Sequence, residues 1–104
     1  MIEIQRKSTL KGPEERRKAV FRAAFDFHAR HSPPTIDREY WKDHTPGEDG
    51  PAPAETEYWI KTALDMNSTA QSLQQDPFLN ALLIATYNEL EREYKTALNG
   101  LQGP

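Results

Sequence analysis

The 104-residue sequence contains no cysteine. This absence excludes disulfide bonds and thiolate chemistry. Long apolar runs are also missing, because the longest aliphatic stretch, residues 81–85, is far shorter than the roughly 20 residues that cross a bilayer. Residues 1–12 have no apolar core of the kind found in secretory signal peptides. We therefore expect a cytoplasmic protein without a membrane-spanning segment.

Apolar residues are few in this chain. The hydrophobic fraction is 37%, and the mean hydropathy is −0.84. A chain of this length forms one domain with a single core. Burying enough apolar surface to offset the conformational entropy lost on folding requires most of the aromatic side chains. The composition is therefore that of one small domain, and it is compatible with a homodimer.

Residues 76–100 give the clearest helix signal in the chain. Asp76 can cap the first turn, Pro77 suits the first helical position, and Asn99-Gly100 predicts the end of the helix. One face of this helix carries Leu79, Leu83, Thr86, Tyr87, Leu90, Tyr94, Ala97 and Leu98. Further apolar residues lie outside that face in the first half of the helix. We therefore expect residues 78–85 to be covered on more than one side, at the centre of the core.

Three more helices are predicted upstream of this one. Pro13, followed by two acidic residues, begins a helix that ends near residue 31, before Ser32-Pro33-Pro34. Thr35 is a candidate cap for a short helix over residues 36–44. A loop rich in proline and glycine follows, and a third long helix should occupy residues 54–74.

The last two helices should form an antiparallel hairpin, because only residues 74–76 separate them. Matching their apolar stripes pairs Ala70 with Leu83, Met66 with Tyr87, Ala63 with Leu90 and Trp59 with Tyr94. Both tryptophans are interpreted as core anchors. The predicted fold class is an all-α bundle of three long helices and one short helix. Residues 1–12 form an N-terminal arm, residues 13–100 the single domain and residues 101–104 a tail.

Three histidines are candidate metal ligands. His28 and His31 lie one turn apart on the first long helix, and His44 could join them. A third or fourth ligand would be needed, from a carboxylate such as Asp26, Asp37 or Asp43. Histidines on an apolar helix face are more often packed, with one ring nitrogen hydrogen-bonded. We therefore predict no metal and no cofactor, and a small metal-dependent enzyme is the third of three hypotheses.

Other catalytic patterns are absent from the sequence. Glu89, Glu91 and Glu93 are close in sequence, but their spacing is that of an ordinary exposed helix rather than of a paired acid and base. The serines and threonines lie in no nucleophile motif. We therefore predict that the protein is not an enzyme.

Basic residues are concentrated near the N-terminus. Residues 1–31 contain eight basic and four acidic residues, whereas residues 32–104 contain five basic and twelve acidic residues. Arg16, Lys18, Arg22 and Arg30 are therefore candidate phosphate contacts. Against this, Arg17 falls toward the apolar side of the helix while Lys18 and Arg22 point away from it. No helix-turn-helix spacing follows, and the acidic remainder would repel a nucleic-acid duplex. A nucleic-acid-associated regulator is the second hypothesis.

Four segments resemble those of small bacterial proteins of phage or mobile-element type: residues 25–28 (FDFH), 32–35 (SPPT), 40–41 (YW) and 87–94 (YNELEREY). The likeness covers about residues 21–98. It implies a compact helical protein and transfers no catalytic residue.

The first hypothesis is a non-enzymatic accessory protein that binds an unidentified protein partner through a helix surface, with a homodimer as one form of it. An exposed apolar patch on the first or last helix would be the best candidate for that surface.

Overall fold

The computed structural model describes residues 12–101. These residues form α1 (Pro13–His31), α2 (Arg38–Trp41), α3 (Pro53–Ser72) and α4 (Pro77–Leu101). No strand occurs within residues 12–101, where the only bridge joins Pro46 to Asp49. The all-α prediction is confirmed, while the predicted arm and tail lie almost wholly outside the described residues. No helix in the described range has both the length and the apolar character that a membrane span requires.

The starts of α1 and α4 follow the capping residues in the sequence. α1 begins at Pro13 with two acidic residues in its first turn, where the helix dipole favours negative charge. At α4, Oδ1 of Asp76 accepts hydrogen bonds from the backbone N–H groups of Phe78, at 2.8 Å, and Leu79, at 3.3 Å. The guanidinium of Arg16 also contacts the Asp76 carboxylate. One side chain therefore caps α4 and joins it to α1.

Three predicted helix boundaries are wrong. α2 has only four residues and is capped by Asp37, whose Oδ1 accepts from Tyr40 N at 3.2 Å, rather than by Thr35. α3 ends at Ser72, because Gln74 and Gln75 adopt left-handed backbone angles and form the turn to α4. α4 continues through Gly100 to Leu101. Asn99-Gly100 therefore does not end the helix.

α1 and α4 run parallel, and α3 runs antiparallel to both. Near the start of the parallel pair the rings of Phe21 and Phe78 are 5.4 Å apart, and further along His28 reaches Glu93. α1 packs more extensively against α4 than against α3. The predicted hairpin of the last two helices is present, but it forms one part of a three-helix bundle.

The core lies where the three long helices meet. Its buried members are Val20, Ala24, Phe27, Ala70, Leu79, Leu83 and Leu90. The predicted face of α4 is confirmed, since none of its eight residues is exposed. Trp59 packs against this cluster, and its ring lies 5.6 Å from that of Tyr94, as the predicted pairing requires.

The predicted inner stripe of α3 contains one error. Ala63 is exposed, so it does not oppose Leu90 across the hairpin. Thr62 and Thr69 are buried instead. Buried threonine is tolerated because its hydroxyl finds a partner within the helix, as Thr62 does by donating to Tyr58 O at 2.8 Å. The inward face of α3 is therefore rotated about the helix axis, relative to the face that the alanines indicate.

A buried carboxylate connects α2, α3 and α4. Glu55, in the first turn of α3, is fully buried and accepts four hydrogen bonds. Its Oε2 accepts from Trp41 Nε1 at 2.7 Å and Asp37 N at 2.8 Å, and its Oε1 from Tyr94 Oη at 2.6 Å and Ala52 N at 3.3 Å. No cation of residues 12–101 forms an ion pair with it. The four donors therefore replace the water that the two side-chain oxygens lose on burial.

Candidate protein-interaction surface

The three candidate histidines are held by different partners. His28 Nε2 lies 2.9 Å from Glu93 Oε2, and His31 Nε2 lies 2.6 Å from Asp65 Oδ2. His44 stacks on the ring of Tyr40 at 3.8 Å, and its Nδ1 is 2.7 Å from Tyr40 O. Within the part of the chain that the structure describes, no three histidine or acidic side chains converge on a position for a metal ion.

Two of the carboxylates suggested as further ligands are engaged elsewhere. Asp26 pairs with Arg22 at 3.2 Å, and Asp37 caps α2. The arrangement of His28, His31 and His44 is therefore that of packed, hydrogen-bonded histidines.

Asp65 and His31 form the most polar cluster between α1 and α3. Oδ2 of Asp65 accepts from Arg30 Nε at 2.9 Å and lies 2.6 Å from His31 Nε2. Partial burial raises the pKa of Asp65, but hydrogen bonds from Arg30 and His31 outweigh burial, so the net shift of that pKa is downward. The cluster therefore joins two helices through an ionised carboxylate.

The same cluster resembles an acid–histidine–hydroxyl triad, because His31 Nδ1 lies 3.3 Å from Thr62 Oγ1. Nucleophilic catalysis needs a hydroxyl that a substrate can reach. Thr62 is fully buried, and its hydroxyl already donates to Tyr58 O. Tyr58 Oη in turn donates to His31 O at 2.6 Å, which satisfies a carbonyl at the end of α1. These contacts have a structural role.

The four candidate phosphate contacts do not form a common cationic surface. Arg16 binds Asp76 at the start of α4, and Arg30 binds Asp65 on α3. Lys18 lies 3.9 Å from Glu15, and Arg22 pairs with Asp26, both within α1. Each cation therefore has an acidic neighbour. Arg16 and Arg30 reach other helices, whereas Lys18 and Arg22 stay on α1 and line one cleft.

The main exposed apolar surface lies where α1 meets α4. We call it the phenylalanine patch and define it as Phe21, Phe25, Phe78, Leu82 and Ala85. Phe21 and Phe25 are one turn apart on α1 and, with Leu82 and Ala85, line a groove of about 430 Å³. The ring of Phe78 meets that of Phe21 edge-on at 87°. The patch is therefore continuous across the two helices.

The phenylalanines of the patch are exposed to an unusual degree. Phe25 is 68% exposed, Phe21 50% and Phe78 42%. With about 200 Å² for a fully exposed phenylalanine, the three rings present on the order of 300 Å² of apolar surface. The prediction that residues 78–85 would be covered on more than one side is wrong, because Phe78 and Ile84 face outward. Phe78 forms part of the patch, whereas Ile84 lies on the side of α4 that adjoins α3.

Charged side chains surround the patch unevenly. Near the start of α1, Arg17, Lys18 and Arg22 line a cleft that adjoins Phe21 and Phe25. At the other end, Glu89 and His28 line the groove. A bond from Arg92 lowers the pKa of Glu89, so this carboxylate is ionised at neutral pH. The first end thus carries three cations beside Glu14, and the second carries Glu89, which pairs with Arg92.

No protein-family model, curated protein or solved structure matches this chain. The resemblance to small bacterial proteins of phage or mobile-element type therefore stays a prediction.

Proposed function

We propose that this chain is a non-enzymatic interaction protein that binds another helical surface through the phenylalanine patch, and that its occupant is a second copy of the chain. The observation that carries the proposal is the exposure of three phenylalanines on adjacent parts of α1 and α4. Exposed apolar patches of a few hundred Å² mark interaction sites on small soluble domains.

The size of the patch suits the centre of a dimer interface. A standard interface covers about 800 Å² on each partner, with an apolar centre and a polar rim. The roughly 300 Å² of phenylalanine surface would form such a centre. Leu82 and Ala85 would extend it along α4, and the charged residues at both ends would supply the rim. The low apolar content of the sequence also favours burial against a second chain.

The charge distribution favours a two-fold arrangement. A two-fold axis across α1, midway between Phe21 and Phe25, would bring each of these rings to the other ring of the second copy. Arg17 and Lys18 of one copy would then approach Glu89 of the other, because His28 and Glu89 line the opposite end of the groove. Such an arrangement would place cations of each copy near a carboxylate of the other, and a two-fold interface requires this kind of self-complementarity.

The nucleic-acid hypothesis has less support. Arg16, Lys18, Arg22 and Arg30 each have an acidic neighbour, and phosphate binding would have to displace those carboxylates. The hypothesis of a metal-dependent enzyme has the least support, because His28, His31 and His44 each contact a different partner.

Sedimentation equilibrium across a range of concentrations tests the proposal. The wild-type chain should shift from monomer to dimer mass as its concentration rises. Phe25→Glu places a charge at the centre of the interface and should weaken dimerisation at least about 30-fold, the effect of losing a residue worth 2 kcal/mol. Ile60→Glu is the matched control, because Ile60 is 56% exposed on α3, away from the patch. It should dimerise like the wild type.

Two results would overturn the proposal. One is a wild-type chain that stays monomeric at every concentration. The other is a dimer that Ile60→Glu disrupts and Phe25→Glu does not.

The cytoplasm is the expected compartment of this protein, and fractionation of the native host would check this expectation.

A further inference from the structure

A second concave surface lies apart from the phenylalanine patch. It is a cleft of about 410 Å³ between α2, the loop before α3 and the last turns of α4. None of its lining residues belongs to α1. Its volume lies within the range of about 300–1,000 Å³ that is usual for small-molecule sites. Its aromatic walls are formed by Trp41, Trp59 and Tyr94, and its charged lining residues are Asp49 and Lys95.

The aromatic walls of the cleft are fixed by contacts behind them. Trp41 Nε1 and Tyr94 Oη both donate to the buried carboxylate of Glu55, at 2.7 and 2.6 Å. The ring of Trp59 meets that of Tyr94 edge-on, with the centroids 5.6 Å apart. The rings are therefore held in place before any ligand arrives, which reduces the entropy that binding costs.

Two acidic side chains lie at or next to the cleft. Glu55 is fully buried at the hydrogen-bonding edges of Trp41 and Tyr94, and no cation in residues 12–101 pairs with it. Burial and the Glu55 carboxylate raise the pKa of Tyr94, so the phenol stays neutral. Asp49 adds a second carboxylate, and Lys95 is the only cation among the lining residues. Aromatic faces also carry partial negative charge.

We propose that this cleft binds a small organic cation of the alkylammonium class, with its substituted nitrogen against the aromatic walls. Alkylammonium groups bind aromatic faces through cation–π attraction, and nearby carboxylates strengthen that attraction. Indole is the best aromatic partner for such a cation, and both tryptophans of the chain line the cleft, Trp59 half-buried and Trp41 with 9% of its surface exposed. Lys95 limits the affinity, because its charge repels the ligand.

The test compares choline with 3,3-dimethyl-1-butanol, in which carbon replaces the charged nitrogen and the shape is kept. Binding is followed by NMR shifts of the indole N–H signals of Trp41 and Trp59. Choline should shift these signals in a saturable manner. The neutral alcohol should bind at least about tenfold more weakly, because it lacks the cation–π attraction and the attraction to the carboxylates. A tenfold difference in affinity corresponds to about 1.4 kcal/mol. Equal binding of the two compounds would overturn the proposal, as would the absence of any shift with choline.

Charge variants then separate a cation site from other kinds of site. Lys95→Gln should tighten choline binding about two- to fivefold, and Asp49→Asn should weaken it by a similar factor, the effect of one partly exposed charge. Lys61→Gln, on the exposed side of α3, is the control and should leave the affinity unchanged. Weaker choline binding by Lys95→Gln would contradict the proposal. Core tryptophans are left intact, so loss of folding does not confuse the result.

The choline site is independent of the dimer. Phe25 lies outside the cleft. The Phe25→Glu variant should therefore bind choline with the wild-type affinity, whatever the effect of the substitution on the oligomeric state. A choline affinity that falls with Phe25→Glu would contradict the placement of the site.

Discussion

The hydroxyl of Tyr94 lies 2.6 Å from Oε1 of Glu55, so the last turns of α4 are hydrogen-bonded to the first turn of α3 through a fully buried carboxylate. Trp41 Nε1 donates to the other oxygen of the same side chain. One residue therefore fixes the short helix α2, the start of α3 and the end of α4. It also positions two of the three aromatic walls of the proposed cation site.

Glu55→Gln should lower the free energy of unfolding by at least about 2 kcal/mol, because the amide nitrogen would face N–H or O–H donors that now bind an oxygen. Urea unfolding followed by circular dichroism measures the change. Glu57→Gln is the matched control, since Glu57 lies on the exposed side of the same helix and pairs with Lys61 only at the surface. The control should stay within about 0.5 kcal/mol of the wild type. Wild-type stability of Glu55→Gln would show that the network contributes nothing.

Leu83→Ala and Leu90→Ala should each cost about 2–5 kcal/mol, because both side chains are almost completely buried and alanine leaves a cavity. Thermal and urea unfolding of the two variants provide the measurement. Ile84→Ala removes a similar amount of side chain at a position that is 57% exposed, and it should cost less than about 1 kcal/mol. If all three variants melted alike, the core would have been assigned to the wrong face of α4.

Because of Asp65, the free energy of unfolding should depend on pH in the acidic range. Its pKa is lowered in the folded protein, below the ordinary value of 3.8, so the folded state favours the ionised carboxylate. That stabilisation is fully present above the unfolded-state pKa and is lost as the pH falls through the folded-state pKa. Asp65→Asn should therefore cost about 0.5–1 kcal/mol at pH values near 5, a small figure because the contact is partly exposed.

The cost of Asp65→Asn should shrink as the pH falls below the ordinary carboxyl value of 3.8 and through the lower folded-state pKa, where the folded wild-type carboxylate takes up a proton. Urea unfolding across this pH range tests the claim. Asp43→Asn changes an exposed carboxylate on the segment after α2 and serves as the control. Its free energy of unfolding should equal that of the wild type both near pH 5 and at lower pH. A difference between wild type and Asp65→Asn that grew as the pH fell would contradict the assigned direction of the shift.

The fold was predictable from the sequence where local signals and burial agree. Asp76-Pro77 fixes the start of α4 because a side-chain cap and proline act on the same turn, and the leucine spacing fixes its buried face. α3 was harder to orient. Its alanines suggested an inward Ala63, whereas Thr62 is buried, because a threonine hydroxyl can bond to its own helix and pack like an apolar residue.

The surfaces were less predictable than the fold. Phe21 and Phe25 are apolar residues one turn apart on α1, and their spacing does not show that the bundle leaves them exposed. Little in the sequence marks Glu55, because a glutamate in a first helical turn is ordinarily exposed. The one signal for it is its position three residues after Ala52, where a glutamate can bond back to the backbone N–H before the helix.

The proposed dimer joins two copies of this chain through the phenylalanine patch. A mixture of isotope-labelled and unlabelled chains, at a concentration where the dimer forms, allows NMR contacts between the two copies to be recorded. We expect intermolecular contacts from the Phe25 ring to Phe21 of the other copy. A dimer whose intermolecular contacts all arise from another surface, such as Ile60 and Leu64 on α3, would contradict it.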